Sequence, residues 1–241
     1  MGHRRWEDQP APPKRLQAYE AIVERLVFRR LVPGQFVTQR ELVELCGLPL
    51  GAIREAIPRL EADGLIFTLR QRGLQIASID VRFVRNAYRL RRILECEAAA
   101  HAARRAPAAF LDKVEAEHRA ILARMVDPLP QAVADKAQRV DWAMHESLIG
   151  LLDNELVAEV YRVNSIKVRM ASQQRLRLTG ANIDRVMHEH MKIIEALRAR
   201  DSEASAAAVR EHIDRSMTIA LGVEEEPSVR RSSGLSAARE V

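Results

Sequence analysis

Apolar residues recur at helical spacing at Ile22, Val23, Leu26 and Val27, inside a stripe from Leu16 to Leu31 that Pro33-Gly34 brings to a stop. Thr38 followed three residues later by Glu41 is a capping-box pattern; it predicts a second helix over RELVELC, ended by Gly47. A third helix is predicted from Leu50 to Asp63, ended by Gly64, with Pro58 in its interior where the ring removes a backbone hydrogen bond. The period then changes. LIFTLRQRGLQIASI reads as two short strands around a tight turn at Arg72-Gly73. Helix, helix, short turn with Gly, helix and hairpin is the order of a winged helix-turn-helix, in which the second helix braces a third that lies in the DNA major groove.

From Asp80 onward the pattern is helical almost throughout. Asp80 caps a predicted helix from Val81 to Arg105, and Pro107 opens another that reaches Met125. Pro128 and Pro130 break the chain before a helix over Gln131–Leu152, and Asn154 caps the next, to Gln173. After a break at Leu178-Thr179-Gly180, a fifth helix spans Asn182–Arg200 and a sixth, capped by Asp201 or Ser202, runs to Gly222. Six amphipathic helices with short links form a bundle. The expected fold is therefore mainly α: an N-terminal winged helix-turn-helix and a C-terminal antiparallel six-helix bundle. The expected division is a flexible arm at 1–14, a DNA-binding domain at 15–80, an all-helical domain at 81–223 and a disordered tail at 224–241.

Composition narrows this picture only slightly. Of 241 residues, 47% are apolar and 4% aromatic, enough for sizeable cores built on helices rather than strands. The net charge of +5 is compatible with nucleic-acid binding but does not identify it. Cys46 and Cys96 form no CxxC pair and read as small buried hydrophobes. No apolar run approaches the roughly 20 residues of a membrane helix. The N-terminus lacks the apolar core of a signal peptide, so the expected location is the cytoplasm, away from membranes.

The stretch from Ala21 to Ile79 resembles the winged helix of the GntR family of regulators. The resemblance rests on Pro33-Gly34, Arg40-Glu41-Leu42, Gly47, Ile53-Arg54-Glu55-Ala56, Leu60-Glu61-Ala62-Asp63-Gly64-Leu65 and the wing glycine Gly73. It implies double-stranded operator DNA as a partner. Arg54 on the third helix can reach a base edge, and Arg40 a phosphate. Arg59, and Arg70 and Arg72 in the wing beside Gly73, can add phosphate contacts. Where the family usually has Ser-Arg-Thr-Pro, this chain has Pro49-Leu50-Gly51-Ala52, so two hydroxyls and an arginine are missing from the DNA-facing start of that helix.

A second constellation lies in the helical half. Asp141 and His145 are four apart and share one helix face, while His190 and His212 fall on the fifth and sixth bundle helices. Three imidazoles and a carboxylate suit a divalent transition metal: zinc first, with nickel or manganese compatible with the same donors. The spacing alone is weak, but all four positions match the pattern of GntR regulators with an FCD-type effector domain (the FadR branch). The six helices point to its shorter, VanR-like subgroup. That resemblance implies a small carboxylate effector clamped by Arg91, with Glu95 orienting the guanidinium; Arg89 stands where the family usually has an acid. Asn164 and Arg169 on the fourth bundle helix are candidate wall residues. His188 lies two residues from His190 and faces elsewhere; His3, His101 and His118 read as ordinary surface or core histidines.

The function expected is a metal-containing, ligand-responsive, homodimeric transcription regulator, a repressor released by an organic acid, and not an enzyme. The competing reading is a metal-dependent enzyme acting on a small carboxylate, for which Glu146 and Glu189 are the candidate bases. A third is a protein–protein adaptor whose winged helix no longer binds DNA.

Overall fold

A computed structural model describes residues 12–175 and 179–223, which divide into two compact units. The expected tail, the expected arm up to residue 11 and the predicted break at Leu178 lie outside the described residues. One unit runs up to Arg89 and includes Glu159–Gln174; the other holds Leu90–Ala158 and the chain from Arg175.

The first unit is the winged helix-turn-helix. It contains α1 (Lys14–Val27), β1 (Phe36–Val37), α2 (Gln39–Cys46), α3 (Leu50–Ala62), β2 (Ile66–Leu69) and β3 (Gly73–Ile76). Helix α1 leaves the predicted stripe early, because Phe28 closes it and Arg29 turns left-handed at φ 54°. The capping box forms: the Thr38 hydroxyl accepts from the Glu41 amide, and the Thr38 amide donates to the Glu41 carboxylate at 2.6 Å. Gly47 then ends α2 at φ 66°, a left-handed position that a residue without Cβ takes without strain. Helix α3 continues unbroken through Pro58. Its buried face, Ile53, Ala56, Ile57 and Leu60, packs against α1 and α2.

The wing differs from the sequence expectation in two respects. Gly73 pairs with Leu69 as the first residue of β3, so the turn is Arg70-Gln71-Arg72, with Gln71 left-handed at φ 67°. A third strand, β1, pairs antiparallel with the outer side of β3, giving the order β1-β3-β2. Two residues are too few for a period-2 pattern to reveal. This strand explains the glycine: Gly73 sits at φ 87°, and a Cβ there would lie 3.3 Å from the Val37 carbonyl oxygen. Gly73→Ala is expected to lower stability by about 1–2 kcal/mol through left-handed strain, read from the urea midpoint; an unchanged midpoint would reject this account.

Segments of α4 (Val81–Arg105) and α7 (Glu155–Arg175) complete this unit. Asp80 caps α4 by accepting from the Phe83 amide, and Asn154 caps α7 by accepting from the Leu156 and Val157 amides. Asn164 donates to the Ala87 carbonyl, and Arg162 donates to the Tyr19 hydroxyl, which donates in turn to Asp63. Burial, together with that bond to Asp63, pushes the Tyr19 phenol up.

The second unit is helical: the remainder of α4, then α5 (Ala108–Leu122), α6 (Gln131–Gly150), α8 (Gly180–Arg198) and α9 (Ser202–Leu221). With α7, the described helices after Asp80 are the six expected from the pattern. Thr179 caps α8 and Asp201 caps α9 through side-chain oxygens that accept from amides three residues on. Helix α8 is the hub. It packs on α5, α6 and α9, and a stripe through Ile183, Met187, His190, Ile194 and Leu197 is buried. Ile121, Ala134, Ala137, Val140, Ile183 and Met187 form one apolar cluster. Burial of apolar side chains at roughly 25 cal/mol per Å² is the main force holding such helices together. It pins α8 against three neighbours that each carry a polar side chain into the same interior.

Candidate metal centre and nucleic-acid interface

Helix α6 presents Asp141 and His145 one turn apart, α8 presents His190 and α9 presents His212. One donor atom from each of the four lies within 4.8 Å of all the others. His190 Nε2 is 3.4 Å from Asp141 Oδ1 and 3.4 Å from His212 Nε2, and His145 Nε2 is 3.6 Å from the same Asp141 oxygen. The three rings are buried, and those of His145 and His212 stack with centroids 5.2 Å apart.

Behind each ring stands a partner for the other nitrogen. His145 Nδ1 donates to Glu95 on α4 at 2.6 Å, and His212 Nδ1 donates to Glu189 on α8 at 2.8 Å. His190 Nδ1 meets His118 of α5 at 3.0 Å. Each glutamate is held by an arginine four residues earlier on its own helix: Arg91 donates to Glu95 at 2.7 Å, and Arg185 to Glu189 at 2.6 Å. Asn182 in turn accepts from Arg185.

The electrostatics follow from burial and these partners. Burial drives His190 well below the usual imidazole range, reinforced by the neighbouring rings of His212 and His145. Burial also lowers His212, against the bond to Glu189. For His145, burial and Arg91 push down, but Glu95 and Asp141 outweigh them and the ring is raised. Burial would raise Asp141 and Glu189; the imidazole and guanidinium partners reverse this and hold both carboxyls below their ordinary values.

This donor set fits a divalent transition metal. Three nitrogens and one carboxylate oxygen converge, and His145 Nε2 is a buried polar atom with no hydrogen bond among the described residues. A buried ring nitrogen left without a hydrogen bond is costly, and a cation held between these donors would remove that cost. Carboxylates behind metal-binding imidazoles are the usual way of fixing ring and tautomer.

Other predicted residues fall as follows. Arg91 and Glu95 lie at the centre, with Glu95 fully buried and divided between Arg91 and His145. Asn164 and Arg169 belong to the first unit, where Asn164 is buried against Ala87. His188 is exposed and bonds the Asp184 carbonyl. Of the bases considered for an enzyme, Glu146 is exposed, and Glu189 already accepts from His212 and Arg185. The hydrogen bonds that Glu189, Arg185 and His118 make behind these rings escaped the sequence reading. The Arg-x-x-x-Glu spacing shared by Arg91–Glu95 and Arg185–Glu189 was the one available signal for the first two. Cys46 and Cys96 are half-buried thiols whose pKa burial pushes up, which keeps them in the unreactive form.

In the winged helix, Arg40, Arg54, Arg70 and Arg72 are all exposed. Gln39 Oε1 accepts from Arg54 Nε at 3.0 Å, which aims the guanidinium from the second turn of α3. Leu50, one turn before Arg54 on the same face, is exposed at 40%. Arg59 takes another direction: its guanidinium lies 4.6 Å from the Tyr19 ring centroid, a cation–π contact.

Residues 14–76 match the family described as bacterial regulatory proteins, gntR family, and residues 86–215 match the FCD domain. The chain is 23% identical over 213 residues to the HTH-type transcriptional regulator YdhC of Bacillus subtilis, covering 86% of this chain and 90% of that protein. It is 24% identical over 209 residues to the HTH-type transcriptional repressor RspR of Escherichia coli, covering 85% and 87%. The solved structure of E. coli McbR/YncC superposes with a TM-score of 0.69 at 18% identity, covering 88% of this chain and 99% of that one. No helix among the described residues is long and apolar enough to cross a membrane. The chain belongs to the GntR family of bacterial regulatory proteins, in the group that carries an FCD domain, and is a DNA-binding transcription regulator.

Proposed function

We propose that the protein is a homodimeric, metal-containing repressor of the six-helix, VanR-like subgroup, released from its operator by a small organic acid. The observation that carries the reading is the convergence of Asp141, His145, His190 and His212 on one point, with a separate partner behind each imidazole. Zinc is the metal favoured by three imidazoles, with nickel and manganese as alternatives. Bound there, it would supply a Lewis-acidic position for a carboxylate oxygen. The chain's own residues do the rest. Glu95 holds Arg91 beside the cluster, where its guanidinium offers a second, bidentate hold on the acid. Two glutamates, each neutralised by its own arginine, keep the rings in place without adding net charge.

On the DNA side, Arg54 reads a base edge in the major groove, while Arg40, Arg70 and Arg72, with the Gly73 wing, meet phosphates. Arg59 remains a candidate phosphate contact from its place over Tyr19. The acid acts by binding operator-competent and operator-incompetent arrangements with different affinity, without which no shift follows.

The test is fluorescence polarisation of operator DNA from the chain's own promoter region, with zinc, with and without a panel of small carboxylates. One of them is expected to lower operator affinity in the metal-loaded protein and not in the metal-free protein. Specific binding that no acid alters would defeat the sensor reading. Arg54→Ala is expected to weaken operator binding by roughly 1–3 kcal/mol and relax preference at one base; unchanged affinity would remove it from the readout. The enzymatic reading has less support, because Glu189 is already committed to His212 and Arg185. Turnover of any of the same acids would revive it.

A further inference from the structure

We propose that His118 is a positioning residue of the metal centre: it holds His190 in the tautomer whose bare Nε2 faces the other three ligand atoms. This rests on the metal reading above.

The hydrogen bonds can be followed one by one. His118 is buried, and its Nδ1 lies 2.7 Å from the Val114 carbonyl oxygen. A carbonyl only accepts, so Nδ1 carries the ring proton. In the neutral ring, His118 Nε2 is then a bare acceptor. It faces His190 Nδ1 at 3.0 Å, so that nitrogen must carry the proton of its own ring. The lone pair of His190 is left on Nε2, 3.4 Å from both Asp141 Oδ1 and His212 Nε2. The opposite tautomer would set two lone pairs against each other across the 3.0 Å contact; the chosen one sets the bare Nε2 against Asp141 Oδ1 and the His212 Nε2 lone pair at 3.4 Å, a repulsion that a cation held between them would remove. The α5 backbone therefore reaches the centre through two imidazoles in series, each with its proton on Nδ1.

The choice of an imidazole here also has a physical reason. Glu95 and Glu189 each have an arginine four residues earlier on the same helix. The residue four before His118 is Val114, so a carboxylate at 118 would lack that guanidinium. A buried carboxylate without a counter-charge is costly, whereas a neutral imidazole supplies the same acceptor at no such cost. His118 thus completes a set of three orienting groups while leaving the charge of the interior unchanged.

Two measurements on the full chain test this. Long-range 1H–15N spectra of the histidine rings report tautomers directly; His190 is expected as the Nδ1–H form both without metal and after zinc is added. Zinc affinity from competition with a chelating dye is expected to fall roughly 10–100-fold in His118→Leu, and to be largely restored in His118→Gln, whose amide oxygen can accept the same bond. A merely structural role would lower the unfolding midpoint of His118→Leu while leaving its zinc affinity and the His190 tautomer as they were. An Nε2–H form of His190 in the metal-free protein, or wild-type zinc affinity in His118→Leu, overturns the assignment. Should His118→Leu fail to fold, the wild-type tautomer and the His118→Gln affinity decide. Wild-type protein that takes up no zinc overturns the metal reading and the role of His118 with it. Tight wild-type binding that is equally tight in His118→Leu overturns the role of His118 alone.

Discussion

His190→Ala is expected to abolish zinc-dependent stabilisation of the protein. His190 Nε2 lies centrally, within 3.4 Å of donor atoms from both α6 and α9, so its loss leaves the remaining ligands without the atom that joins them. A ligand that binds only the folded state stabilises it by RT ln(1 + [L]/Kd), about 2.7 kcal/mol at a hundred times Kd. Wild-type protein titrated with zinc should follow that rise in urea unfolding, while His190→Ala should stay flat. Elemental analysis after dialysis should agree, with metal in the wild type and little in the variant. Full occupancy in the variant would remove His190 from the ligand set. The metal-free comparison matters, because the same substitution also opens a cavity in a buried stripe of α8. That loss appears equally with and without zinc, so the difference between the two titrations isolates the metal.

Glu95→Ala should cost more than any substitution on the surface. Glu95 is fully buried, and its two oxygens take the Arg91 guanidinium at 2.7 Å and His145 Nδ1 at 2.6 Å. Removing the carboxylate leaves a cation and an imidazole donor in the interior without the acceptor that both were placed for. Breaking a buried charged pair from one side typically costs roughly 3–5 kcal/mol, because the surviving charge remains desolvated. Glu95→Gln should cost less, since its amide oxygen can keep one of the two donors. Zinc affinity should fall in both variants, because the His145 ring loses its orientation. A loss of under about 1 kcal/mol in Glu95→Ala would mean that water reaches the site and that the pair is solvated.

Much of this was open to reading along the chain, for reasons that differ from residue to residue. Thr38, Asp80, Asn154 and Asp201 cap helices as their positions suggested, because capping is settled by bonds to backbone amides two or three residues away. Asp141 and His145 share a face because four residues make about one turn. The strand β1 went unseen because its two residues carry no period and exist as a strand only through their pairing with β3. The wing turn shifted from Arg72-Gly73 to Arg70–Arg72 because that pairing fixes Gly73 opposite Leu69.

Chemistry within a turn or two of helix was therefore written locally: where helices begin and end, which side chains share a face, and which arginine accompanies which glutamate. What lies behind each ring of the proposed metal centre was not. His118 and His190 are 72 residues apart, and neither has a neighbour in sequence that announces the other. They meet because α5 and α8 bury apolar faces against each other, a choice made by the whole core, and only that choice turns an ordinary-looking buried histidine into the partner of His190.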